Sequence, residues 1–170
     1  SVSAFLLNRS SDLEISFSKA HSASYAVESY QSLYLRSHYP LEFQVAVINN
    51  FGGFYQTWFY FNEARRMGAK IHLPCVNRSD YLTTLNGRTI FMGFVHLQGI
   101  EQQFVERFVA ERNTHGPYIS FENFIARVPF SLEQLVLLIR GGAFSFTKKT
   151  KAELLWQAHL NKSEGKKEQP

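Results

Sequence analysis

The sequence predicts a mainly α-helical chain carrying a small β insert, on three observations. Apolar residues recur at a 3.6-residue period through most of the 170 residues. Between about residues 69 and 92 that period gives way to short runs, with Asn86-Gly87 between two of them as a hairpin signal. Helix starts and stops also repeat. Ser131-Leu132-Glu133-Gln134 and Thr150-Lys151-Ala152-Glu153 are capping-box patterns, and Gly52-Gly53 and Gly141-Gly142 are breaks.

Composition narrows the function. Sixteen phenylalanines supply core material, and no apolar run is long enough to span a membrane. The start shows no secretory signal pattern, and a first residue of Ser rather than Met reads as a processed product or a fragment. The single cysteine, Cys75, excludes an internal disulfide, fits a reducing compartment and reads as a small core hydrophobe. Six histidines without a close pair give no zinc set, so no metal is expected to bind here, and His38 reads as a helix-end residue. There is no P-loop, no dinucleotide glycine pattern and no close carboxylate set of a two-metal centre, so no catalytic residue is assigned.

The net charge of +4 is unevenly spread. From Lys148 onward there are six lysines and three glutamates, leaving twelve basic and eleven acidic residues in the body. The high pI therefore reports mostly the tail, and a basic patch in the body must come from Arg65, Arg66, Lys70 and Arg78.

In chain order, residues 1–15 form a poorly anchored lead-in. A helix follows from about Ser22 to Ser37, with Ala23, Ala26, Val27, Tyr30, Leu33 and Tyr34 on one face. Pro40 suits the first turn of a second helix, Leu41 to Ile48, whose inward face is Phe43, Val47 and Ile48 with Leu41 at its edge. A third helix spans about Tyr55 to Met67, with Phe59, Phe61 and Ala64 inward and Gly68 past its end. Short strands are expected at Lys70–Leu73, Tyr81–Leu85 and Thr89–Met92. Helices then run to about Arg112 with Ile100, Phe104, Val105, Phe108 and Val109 on one stripe, and from Ser120 to Arg127. Another follows Ser131 with Leu132, Leu135, Val136 and Ile139 inward, and a last one follows Thr150. Residues 161–170 read as a polar, disordered tail.

Two places could bind anions. Lys19, His21 and Ser22 crowd the start of the first helix, where unpaired N–H groups and the helix dipole favour negative charge. Ser18 or Ser22 serves equally well as a plain N-cap. Leu97-Gln98-Gly99-Ile100 has the outline of a glycine-turned hairpin opening a helix, as in a helix-hairpin-helix. Such a turn lets backbone approach a phosphate and hold duplex DNA without reading its sequence, yet glycine in a packing turn is common.

The block Phe17-Ser18-Lys19-Ala20-His21-Ser22-Ala23-Ser24-Tyr25-Ala26, then Ser29-Tyr30-Gln31, Tyr34-Leu35 and His38-Tyr39-Pro40-Leu41-Glu42-Phe43, resembles the bacterial C-family DNA polymerases. That family comprises the DNA polymerase III alpha subunits and their error-prone form. The resemblance continues in order through Glu63-Ala64-Arg65-Arg66-Met67-Gly68, Val76-Asn77-Arg78-Ser79, Gly116-Pro117-Tyr118, Phe121-Glu122-Asn123-Phe124 and Leu138-Ile139-Arg140-Gly141-Gly142-Ala143-Phe144. It covers roughly Ile15 to Leu160. It implies that residues 16–68 form the C-terminal part of the polymerase fingers, 69–92 a short-strand insert and 93–160 a helix-hairpin-helix-like DNA-binding region. By that resemblance Lys19, His21 and Ser22 hold the triphosphate of an incoming deoxynucleotide, and Gln98, Gly99 and Ile100 touch the backbone of duplex DNA. The family's catalytic aspartates and their magnesium lie in a palm upstream of these motifs, so this chain should be inactive alone. Other subunits of a cytoplasmic replication holoenzyme are expected partners. Where the family has Lys-Gly-hydrophobic-Gly, this chain has Gln98-Gly99-Ile100-Glu101, which weakens phosphate binding. Residues 7–15 also depart from the family's approach to the block. A stand-alone duplex-binding module and a packing segment of a larger enzyme are the alternatives.

Overall fold

The computed structural model describes residues 21–165, with side chains described through residue 161. These residues hold seven α-helices, two 3₁₀ turns and one three-stranded sheet, so the chain is mainly α with a small β insert. The chain divides into one compact unit ending at Phe43 and another beginning at Gln44.

In the first unit, α1 spans residues 21–38 and every residue on it is exposed. Its apolar face includes Val27, Tyr30, Leu33 and Tyr34, at 58%, 71%, 63% and 48% exposure, so the expected stripe contributes no core here. Tyr39 interrupts the helix just before Pro40, as the clash of a proline ring with its predecessor requires. His38 stacks on Tyr34 at 4.1 Å and bonds through Nδ1 with the Tyr34 carbonyl at 3.0 Å, a helix-end role.

Helix α2 (Pro40–Asn49) begins on its proline. Its buried positions are Leu41, Gln44, Val45 and Ile48, while Phe43 and Val47 are only half-buried. The expected face is thus rotated, because Gln44 turns inward. Its amide donates to the Tyr60 carbonyl at 2.8 Å and to Glu63 Oε2 at 3.4 Å, which satisfies the buried polar group.

Helix α3 (Thr57–Arg66) buries Phe61 and Ala64. Phe59, expected inward, is half-buried beneath Tyr55. The helix ends on paired bonds from Gly68 N–H to Arg65 and from Ala69 N–H to Ala64, the Schellman arrangement. The chain then enters β1 (Lys70–His72), which pairs parallel with β3 (Thr89–Phe91). β2 (Thr84–Asn86) lies antiparallel on the other side of β3. Asn86 is the last paired residue, opposite Thr89, so the two turn residues are Gly87 and Arg88, one step later than the Asn-Gly signal placed them.

The second strand begins at Thr84 rather than Tyr81 because Thr83 is committed elsewhere. Its N–H and carbonyl are both held by the Asn49 carboxamide at 2.9 Å, and its hydroxyl accepts from Gly93 N–H and meets His96 Nε2. Burial pushes the His96 imidazole below its ordinary pKa.

The core lies in the helices beyond the sheet. α4 (Gln102–His115), α5 (Phe121–Arg127), α6 (Leu132–Arg140) and α7 (Lys151–Gly165) surround a chain of edge-to-face aromatic pairs. Phe94 meets Phe108 at 5.2 Å, Phe108 meets Phe124 at 5.7 Å, and Phe124 meets Phe144 at 5.0 Å. α6 buries Leu135, Leu138 and Ile139 together with Gln134, whereas Leu132 and Val136 are half-buried. Ser120 and Ser131 cap α5 and α6, and Thr150 and Glu153 form a reciprocal capping box at α7. α7 continues through Gly165, into the stretch read as a polar tail.

The irregular segment between β1 and β2 is tied to this core by side chains. Asn77 donates to the Tyr118 carbonyl and accepts from its N–H, both at 2.8 Å. Arg112 reaches from α4 to the carbonyls of Val76 and Ser79 and to Asp80 Oδ1 at 2.7 Å. The Tyr118 hydroxyl donates to the Phe108 carbonyl at 2.7 Å, and burial raises its pKa to about 12 despite Arg127 lying 4.6 Å over the ring. Asn77→Ala is expected to lower the unfolding free energy by about 2 kcal/mol, since it strips both bonds from Tyr118. Denaturant titration monitored by circular dichroism measures that loss.

Candidate nucleic-acid interface

The hairpin begins where the 3₁₀ turn Phe94–His96 ends. Leu97, Gln98 and Gly99 turn the chain, Ile100 N–H closes the turn on the Leu97 carbonyl at 3.1 Å, and α4 opens after Glu101. Gly99 has φ +84°, which an L side chain rarely adopts, so glycine is the residue this corner requires. Gln98 and Gly99 are exposed. Ile100 is half-buried and packs against the core, so its side chain anchors the turn rather than facing a ligand.

One face of α6 holds the hairpin. Gln134 Oε1 accepts from Glu101 N–H at 2.8 Å, and its Nε2 donates to the Gly99 carbonyl at 3.0 Å. Leu137 lies under Gly99, where an added Cβ would meet it at 3.6 Å. At the far end Leu97 packs onto Gly141 so closely that a Cβ there would sit 2.9 Å from both of its methyl groups. Only half of the expected capping box forms at Ser131. Its hydroxyl accepts from Gln134 N–H, but the Gln134 carboxamide leaves for the hairpin. Sequence reasoning missed this role, and a glutamine at an inward position of an apolar helix was the available sign.

The electrostatics around the turn are mixed. Among the described residues the N–H groups of Gln98, Gly99, Gln102 and Gln103 donate to no protein acceptor. They lie at the start of α4, where the helix dipole is positive. A hollow of about 560 Å³ there is bordered by Glu101, Gln102, Gln103 and Glu106, so two carboxylates oppose the dipole. Glu106 Oε1 accepts from Gln102 Nε2 at 2.7 Å. Cations stand nearby at the Gly141 end: Arg140 is exposed, and Lys151 Nζ donates to the Arg140 carbonyl at 2.7 Å. Lys149 is engaged with Glu122, and this bond is the main reason the Glu122 carboxyl is held down at about 2.

Of the other sequence-assigned residues, Lys19 lies outside the described residues. His21 and Ser22 are exposed at the start of the described part of α1, where the His21 ring meets Tyr25 edge-on at 4.3 Å. No group of three or more His, Cys, Asp or Glu among the described residues could hold a metal ion. No helix among them is long and apolar enough to cross a membrane.

A glycine-cornered hairpin that opens α4 and is clasped by α6 has the form of a helix-hairpin-helix unit. Residues 68–154 match the family described as "Helix-hairpin-helix motif", and the chain belongs to that family. Its homologues are bacterial DNA polymerases. It is 33% identical over 146 residues to a DNA polymerase III subunit alpha of Xylella fastidiosa, covering 83% of this chain and 12% of that protein. A DNA polymerase III subunit alpha of Treponema pallidum is 31% identical over 85% of this chain and 13% of its own length. An error-prone DNA polymerase of Bdellovibrio bacteriovorus is 32% identical over 82% and 14% respectively. The chain thus spans about one-eighth of the length of these relatives.

Gln134→Leu is expected to leave α6 helical but to release the corner. Hydrogen exchange at the Glu101 amide should then quicken by roughly tenfold, matching the loss of one hydrogen bond of about 1.4 kcal/mol.

Proposed function

We propose that this chain acts within a bacterial C-family DNA polymerase, in replication or translesion synthesis, and that its hairpin grips product duplex by the phosphate backbone. The observation that carries this reading is the corner itself. Exposed, undonated N–H groups at Gln98, Gly99, Gln102 and Gln103 stand at a helix start whose shape Gln134 fixes beforehand. Such contacts position duplex without reading bases. Glu101 and Glu106 oppose the grip, so it is weak.

In this reading Lys19, His21 and Ser22 hold the triphosphate of the incoming nucleotide. Nucleotidyl transfer and its magnesium belong to palm aspartates elsewhere in the whole enzyme. The setting is the bacterial cytoplasm, with other holoenzyme subunits as neighbours. A second reading, a duplex-binding module without enzymatic activity, has one observation in its favour: the family match, residues 68–154, falls within the unit beginning at Gln44.

Gln98→Lys combined with Glu101→Gln is expected to tighten duplex binding. The added lysine should pair with one more phosphate and steepen the salt dependence by about 0.9 in log–log slope. Gel shift or fluorescence anisotropy between about 50 and 200 mM salt reads both changes, and an unaltered slope would reject phosphate binding at this corner. In a full-length polymerase carrying this segment, Lys19→Ala is expected to raise the nucleotide KM or lower kcat. Steady-state kinetics on a primed template tests it, and wild-type constants would remove Lys19 from the nucleotide site.

A further inference from the structure

β1 is an edge strand, and its outer side is open. Lys70 N–H donates to the Arg88 carbonyl, and the His72 carbonyl accepts from Met92 N–H, so Lys70 and His72 turn their backbone groups toward β3. Successive residues of a strand turn theirs to opposite sides. The N–H and carbonyl of Ile71 therefore point away from β3, and no group among the described residues bonds to them. Leu73 is 68% exposed and precedes Pro74, which favours extended backbone at Leu73, so the open row continues there. β2, at the other edge, differs. Just before it starts, the Asn49 carboxamide takes both the N–H and the carbonyl of Thr83. A bare row of backbone groups is a template for another strand.

Side chains decide which strand fits. Ile71 pairs with Ile90, so the two share a face, with Leu73 and Met92 two residues further on. Between that face and α3 lies a hollow of about 510 Å³ whose lining includes Trp58, Phe61, Ile71, Leu73 and Met92. Phe61 is buried, whereas Trp58 and Leu73 are open to water. A residue laid opposite Ile71 in an added strand shares this face, and an apolar one extends the lining. Lys70 and His72 lie on the other face, and Lys70 is exposed. Every second residue of the added strand meets that face. The charge there is one-sided. The hollow is lined by one cation, Arg65, and no acid. From Ala64 to Ser79 the chain carries Arg65, Arg66, Lys70 and Arg78 with no Asp or Glu. Carboxylates on the second face of an added strand are complemented, and cations are repelled.

We propose that the free edge of β1 takes an extended peptide segment of a partner protein as a fourth strand, with apolar residues toward the hollow and acidic residues toward Lys70. Backbone bonds to Ile71 and Leu73 supply the docking, and the alternation of side chains supplies the selectivity. This surface does not depend on the corner at Gln98 to Glu101 and needs no nucleic acid.

Trp58 and Trp156 are the two tryptophans, so the full chain carrying Trp156→Phe reports on Trp58 alone. The probe is a short peptide of alternating leucine and glutamate, blocked at both ends. It should shift Trp58 emission to the blue as the hollow is covered. Hydrogen exchange at the Ile71 amide should slow by about tenfold, while the Lys70 amide, already bonded to Arg88, changes little. A peptide of alternating leucine and lysine should bind about tenfold more weakly. Leu73→Glu, at an exposed position, should weaken binding by about tenfold with the circular dichroism spectrum unchanged. Two N-methylated probes separate strand addition from plain apolar burial. Methylating every leucine nitrogen blocks one edge of the peptide, and methylating every glutamate nitrogen blocks the other. One form should therefore lose binding and the other keep it. The proposal is overturned if the leucine–glutamate peptide does not bind, if the two methylated forms bind alike, if Ile71 stays unprotected, or if the lysine peptide binds as tightly. Protection of Ile71 that rises with protein concentration in the absence of peptide would also overturn it, giving the edge to a second copy of this chain.

Discussion

Side-chain carboxamides hold this fold together where regular backbone pairing gives out. Asn49, Asn77 and Gln134 each donate to a carbonyl and accept from an N–H of a segment more than thirty residues away. Each reproduces one rung of a β ladder with a side chain. The sheet has only three-residue strands, too short to organise a domain alone. The loop from Leu73 to Thr83 and the corner at Gly99 would otherwise leave polar backbone unpaired beside an apolar core, and that is expensive. With the carboxamides in place, the aromatic interior from Phe94 to Phe144 is closed on its irregular side.

This arrangement shapes what the hairpin can do. Because Gln134 already occupies Glu101 N–H, the corner is built before any ligand arrives, and the donors left over are those of Gln98, Gly99 and the first turn of α4. A preformed corner loses little freedom on binding. Its weakness is electrostatic rather than geometric, since Glu101 and Glu106 stand beside the dipole that would attract phosphate. The corner therefore combines a preformed shape with a mixed charge.

Much of the helical skeleton was legible in the chain because periodicity and capping are local. Ser120, Ser131 and Thr150 start helices as their spacing implied, and Pro40 opens one. The hairpin at Gly99 was legible for the same reason. What local pattern could not reveal is where a polar side chain turns inward. Gln44 rotated the face of α2, and Gln134 left its capping box for Gly99, each answering to a partner distant in sequence. The hairpin turn fell one residue late because Asn86 pairs with Thr89. Tyr81 to Thr83 reads as strand by composition, but Asn49 claims Thr83 first.

The packing of Leu97 on Gly141 has an evolutionary consequence. The two positions share one small volume, so a side chain at 141 has to displace the Leu97 methyl groups. A lineage that replaces the glycine has to turn or shorten the Leu97 side chain, which shifts the footing that the corner at Gly99 and the turn at Gly142 share. The two glycine-bearing loops are therefore expected to drift as a coupled pair, each constraining the substitutions the other can accept.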